Sequence, residues 1–87
     1  MARVILPNSL LELFPGAERT VEVEAATVRD ALDQLDERWP GMRSRLCESA
    51  DRLRRHIVIF VDSDRCDLSA PVRAASEVRI VPALSGG

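Results

Sequence analysis

Lysine is missing from this 87-residue sequence: all 12 basic side chains are arginine. The chain therefore has no internal ε-amine that an activated C-terminus could acylate. Cysteine and histidine are scarce. Cys47 and Cys66 stand far apart, form no CxxC pair, and have only one histidine, His56, to join them. A structural zinc site needs four ligands at short spacings, which this set does not supply. An autonomous cysteine hydrolase needs a base beside its nucleophile, and no such arrangement is visible here. A disulfide is unusual in the cytosol, so two reduced thiols are expected. No apolar run approaches the ~20 residues that span a bilayer, so no membrane association is expected. Met1–Leu6 meets Pro7 and Asn8 too early for a signal-peptide core, and a cytoplasmic location is expected. An excess of positive charge is also missing: 14 acidic residues leave a net charge of −2. The densest basic cluster, Arg52, Arg54, Arg55 and His56, is short and follows Glu48 and Asp51. A surface that tracks phosphates needs more positive charge on one face, which argues against nucleic acid as the main partner.

What remains is an ordinary globular composition, 46% apolar, of a size for one domain with a modest core. Ala2–Leu6 is rich in β-branched residues and ends at Pro7-Asn8, which reads as a strand. Leu10–Phe14 leads into Pro15-Gly16, a turn signal. Thr20–Ala25 alternates polar and apolar residues, placing Val21, Val23 and Ala25 toward a core. The two strands suggest an N-terminal hairpin. Thr27 with Asp30 three residues on resembles a capping box. Val28, Ala31, Leu32, Leu35 and Trp39 then recur at helical spacing, and Pro40-Gly41 closes the helix. Met42–Leu53 fits a weak second helix or a loop. Ile57–Val61 is the most apolar run and reads as a central strand. A turn at Asp62–Arg65 precedes a short edge strand at Cys66–Leu68. Glu77–Val81 is the last strand.

This order predicts an α+β fold, a mixed sheet of four to five strands with one main helix packed on one face. It is the β-grasp, ubiquitin-like order, with the first and last strands central. Residues 1–82 are expected to form the domain and 83–87 a flexible Gly-Gly tail. Two glycines let a backbone enter a channel too narrow for side chains, and terminal residues are mobile unless tied down. A free α-carboxylate at Gly87 is expected.

The order of elements, together with Arg79-Ile80-Val81-Pro82-Ala83-Leu84-Ser85-Gly86-Gly87, resembles the ThiS/MoaD family of ubiquitin-like sulfur carriers. Within that family the segment from Arg45 through the 57–62 strand and turn is most similar to the CysO-type carriers. The resemblance implies a protein that is not an enzyme and binds no cofactor of its own. An E1-like enzyme would adenylate Gly87 using ATP and Mg²⁺. A sulfur donor would then displace AMP and leave a Gly87 thiocarboxylate. Leu84, Ser85 and Gly86 would form the threading tail. The acceptor would be a cysteine synthase-like enzyme of the pyridoxal-phosphate class or the large subunit of molybdopterin synthase; the alternatives are that the chain is itself the small subunit of molybdopterin synthase, or a ubiquitin-like binding or modifier module. The free carrier is expected to be a monomer.

Strand periodicity adds a candidate docking face. Ile57, Ile59 and Val61 share one side of their strand, and Val58 and Phe60 share the other. A sheet covered by a helix on one side should be polar on the other. Here that side carries Val58, Phe60 and Val81, rimmed by Arg79. Either this is an exposed patch that docks partners, or the Leu10–Phe14 segment covers it.

Overall fold

A computed structural model describes residues 1–82. Strand β1 (Ala2–Ile5) is followed by helix α1 (Asn8–Leu13), β2 (Thr20–Val23), α2 (Val28–Arg38) and α3 (Met42–Leu46). Then come β3 (Cys47–Ser49), β4 (Arg52–Leu53), β5 (Ile57–Val61), β6 (Asp64–Cys66) and β7 (Glu77–Pro82). Five strands form one mixed sheet in the order β2-β1-β7-β5-β6, and β3 with β4 forms a separate small hairpin. The first and last strands are central, as expected, and run parallel to each other.

Strand alternation builds the core. Val4 pairs with Val21 across β1 and β2, and Ile59 with Ile80 across β5 and β7, all on the same side of the sheet. Against them packs the α2 stripe, whose Val28, Ala31, Leu32 and Leu35 are fully buried. The start of α2 is set as its sequence suggests. The Thr27 hydroxyl accepts from Asp30 N at 3.2 Å, and Asp30 Oδ2 accepts from Ala26 N at 3.3 Å. The returning carboxylate thus reaches one residue further back than the usual capping box. Trp39 is half-buried against the core at the end of α2. Gly41 takes φ +101° in the bend after the helix, a conformation that favours glycine. Asp36 Oδ1 accepts from both Gly41 N and Arg43 N at 3.1 Å and fixes this bend.

Three elements differ from the sequence expectation. The Leu10–Phe14 stretch belongs to helix α1 plus its C-cap, so the β1–β2 connection is longer than a tight hairpin. Leu10 is buried in the shared core and the Phe14 ring lies 3.7 Å from an ideal Cβ on Gly41. This places α1 on the helix side. Met42–Leu53 is neither all helix nor all loop. Met42 and Leu46 bury as one helical face, and the chain then turns back as the β3–β4 hairpin. The edge strand begins at Asp64 rather than Cys66. The turn there is only Asp62 and Ser63, both with positive φ (49° and 79°), so pairing resumes at once. Asp67 leaves the ladder and instead accepts from Ser69 N and Ser69 Oγ.

Candidate functional site: the open sheet face and the end of β7

The residues singled out on β5 and β7 come together in register. Val58 lies directly opposite Val81, and Phe60 opposite Arg79. All four point away from the helices. Val58, Phe60 and Val81 are half-buried and are not packed against the main core, and Arg79 is exposed. With α1 on the helix side, the Leu10–Phe14 segment does not cover this face.

The sheet register adds two residues that the sequence reading missed. Ile5 on β1 lies opposite Arg79, and Arg65 on β6 lies opposite Phe60. One lateral row therefore crosses the five strands as Thr20, Ile5, Arg79, Phe60 and Arg65. Phe60 has an arginine opposite it on each neighbouring strand, Arg79 on β7 and Arg65 on β6, the cross-strand positions at which side chains interact. Arg79 also pairs with Glu77 at 3.1 Å, both partly exposed. Such a pair in water contributes little and is free to exchange partners. The missed residues carried a weak signal. Val4 and Ile5 are adjacent and both β-branched, so alternation alone does not say which faces out.

The last strand leads out of this face. Pro82 lies opposite Ile57; β7 is paired to β1 at residues 77–79 and to β5 at residues 78–82. The chain thus reaches Pro82 from a fixed central strand. Leu84, Ser85, Gly86 and Gly87 lie outside the described residues. Arg54, Arg55 and His56 are exposed at the turn just before Ile57, on the edge where β7 ends.

The two thiols sit elsewhere. Cys47 is buried, and burial pushes its thiol above the ordinary value even though Arg43 lies nearby and pulls the other way. Arg43 is largely engaged: its Nε lies 3.2 Å from Asp33 Oδ1 and its Nη2 donates to Ala50 O at 2.8 Å. A shallow depression of about 360 Å³ adjoins Cys47 and is lined by Asp36, Arg43, Ser44 and Glu48 among others. A neutral, buried thiol is a poor nucleophile. Cys66 is half-buried against the core. Among the described residues no group of three or more His, Cys, Asp or Glu side chains could hold a metal ion, and no helix is long and apolar enough to cross a membrane.

The sequence pattern of the ThiS family matches residues 4–87. The chain belongs to the ThiS family. Small archaeal modifier protein 1 of Haloferax volcanii is 35% identical over 75 residues, covering 83% of this chain and 86% of that protein. The crystal structure of the Amycolatopsis orientalis BexX/CysO complex contains a chain similar to this one, with a TM-score of 0.86, 30% identity and full coverage of both. The crystal structure of Mycobacterium tuberculosis CysO superposes with a TM-score of 0.85 over 97% of this chain and 100% of that one. At 22% identity that likeness speaks for the fold alone. The chain is thus a β-grasp member of a family of small ubiquitin-like carriers and modifiers, with CysO and archaeal modifier proteins among its structural neighbours.

Proposed function

We propose that this chain is a sulfur carrier that acts through a thiocarboxylate at Gly87. The observation that carries the reading is the central placement of β7. It is held by β1 over residues 77–79 and by β5 over residues 78–82, ends at Pro82, and leads into residues that the family pattern spans through Gly87. A carboxylate is a poor electrophile. An E1-like enzyme with ATP and Mg²⁺ would join the Gly87 carboxylate to AMP and release pyrophosphate. Sulfide would then attack the acyl carbon and expel AMP. A persulfide would do the same, its S–S bond being cleaved afterwards by a thiol. This chain's own part is to present the carboxylate and to dock, and neither role needs a base or metal of its own. The acceptor is a sulfur-consuming biosynthetic enzyme of the cysteine synthase or molybdopterin synthase kind.

The docking face in this reading is Val58, Phe60 and Val81 with Arg79, extended by Ile5 and Arg65. The BexX/CysO complex supports it only in that a similar chain has been crystallised with a partner protein. Phe60→Asp places a charge at the centre of the patch without touching the core. It is expected to weaken binding of the adenylating partner by about 30-fold or more, a loss typical of an interface hot spot. Calorimetric titration measures it. Unchanged affinity in a folded variant would remove the face from the proposal.

The direct test of the carrier reading is mass spectrometry after incubation with an E1-like enzyme, ATP and a sulfur source. The expected change is one oxygen replaced by sulfur. Fragmentation must place it on Gly87, because oxidation of methionine or cysteine adds nearly the same mass. A second reading, protein modifier, is favoured by the 35% identity to an archaeal modifier protein. It predicts covalent conjugates in cells that vanish when Gly87 is deleted. The carrier reading predicts loss of the thiocarboxylate without such conjugates.

A further inference from the structure

A strand at the edge of a sheet leaves backbone groups unpaired and invites another strand to join it. Strand β2 is such an edge. Leu6 N donates to Arg19 O at 2.7 Å, so Arg19 turns its backbone groups toward β1, and Val21 and Val23 follow by alternation. Thr20 and Glu22, both exposed, therefore turn theirs outward. Helix α2 meets them there. Arg38 Nη2 donates to Glu22 O at 3.0 Å. One turn earlier on the same helix face, Gln34 clasps Glu24, the residue just after β2. Its Oε1 accepts from Glu24 N at 2.9 Å, and its Nε2 donates to Glu24 O. A side-chain amide offers a donor and an acceptor as a peptide group does, so Gln34 fills the place of one residue of an added strand. The Glu22 N–H and both backbone groups of Thr20 have no protein partner among the described residues. The opposite edge, β6, has only three residues and is blunted by its shortness.

We infer that the β2 edge is a strand-addition surface for a second copy of this chain, and that α2 holds it shut through Gln34 and Arg38. The register of β2 makes it self-complementary. Two β2 strands lying antiparallel about a two-fold axis at Glu22 would exchange both Glu22 N–H···O bonds and join two five-stranded sheets into one. Val21 of one copy would then lie opposite Val23 of the other, apolar against apolar on the helix side. Thr20 of one would lie opposite Glu24 of the other. Three features oppose this pairing. Arg38 occupies the Glu22 carbonyl, and Gln34 occupies both backbone groups of Glu24. The two Glu22 carboxylates would also stand directly across from each other, which like charges disfavour. The charge is a surface property that one substitution removes. The two helix contacts close the backbone itself, and no strand can join while they hold. None of this depends on Gly87.

The test compares three full-length chains: wild type, Glu22→Thr, and Glu22→Thr/Gln34→Ala/Arg38→Ala. The three positions are exposed or half-buried. Threonine suits a strand and alanine a helix, so the fold is retained, as a melting curve checks. Sedimentation velocity is run from micromolar to millimolar concentration. Wild type and Glu22→Thr should stay at the monomer mass of 9.6 kDa throughout. The triple variant should approach twice that mass as concentration rises, with hydrogen exchange slowed at the N–H groups of positions 20 and 22 in the dimer only. A folded triple variant that stays monomeric overturns the inference. So does a Glu22→Thr chain that dimerises equally, since charge and not α2 would then be the guard. A dimer without slowed exchange at those two positions, or a wild-type dimer joined at β2, overturns it as well. Gln34→Ala alone gives a second reading that needs no association. Exchange at Glu24 N–H should quicken by about three- to tenfold, the worth of one hydrogen bond. Unchanged exchange there would mean that no clasp exists.

Discussion

At the scale of single residues, small placements have measurable effects. The Thr27 hydroxyl satisfies the free N–H of Asp30 at the start of α2. Thr27→Ala should cost about 1 kcal/mol, seen as a lower urea midpoint at unchanged slope. Cys47 is held neutral chiefly by burial. Iodoacetamide should therefore label the half-buried Cys66 first and reach Cys47 only under unfolding conditions. The sign of its pH effect follows. The folded chain keeps a thiol proton that the unfolded chain releases at the ordinary value. Its contribution is full below that value and is lost as pH rises toward the raised one. Cys47→Ala should flatten the alkaline limb of a stability profile. Capping and core residues of this kind were legible from spacing alone. Ile5 and Arg65 were not, because their membership of the open face depends on which strands become neighbours.

At the scale of elements, local pattern and tertiary context contribute unequally. Helix α2 was readable because one apolar stripe, a cap and a terminating Pro-Gly coincide. Its Leu35 is fully buried, and Leu35→Ala should cost about 2–5 kcal/mol, the usual range for a cavity left in a packed core. Helix α1 was hidden. With six residues it is too short to hold itself, and the burial of Leu10, with Leu11 and Phe14 packed on the core, anchors it. The β3–β4 hairpin was hidden for the same reason, as its two short strands are held by Cys47 and Leu53 packing on the core and by the bond from Arg54 N to Leu46 O of α3. The β5–β6 turn holds Ser63 at φ 79°, where a side chain is strained. Ser63→Gly should raise stability by about 0.5–1 kcal/mol, because relief of that strain exceeds the extra freedom glycine gains when unfolded. Asp62 is left in place, since its Oδ1 accepts from Glu77 N at 2.9 Å.

At the scale of the whole molecule, the core lies between Ala2 and Ile80, while the proposed chemistry belongs to the last residues. Deleting Gly86 and Gly87 should therefore leave the melting temperature unchanged and abolish activation, whereas Leu35→Ala should lower the melting temperature first. Differential scanning fluorimetry beside the mass-spectrometric assay separates the two. Strand alternation, the α2 stripe and the terminal Gly-Gly are properties of neighbouring residues, so the order of elements and the family resemblance could be read from the chain itself. Lateral order could not. That β7 enters between β1 and β5 and that Phe60 faces Arg79 and Arg65 both depend on pairings between residues distant in sequence. Those pairings form only when the two halves of the sheet bury their shared apolar side against α2, and it is that burial, not any local propensity, that selects them.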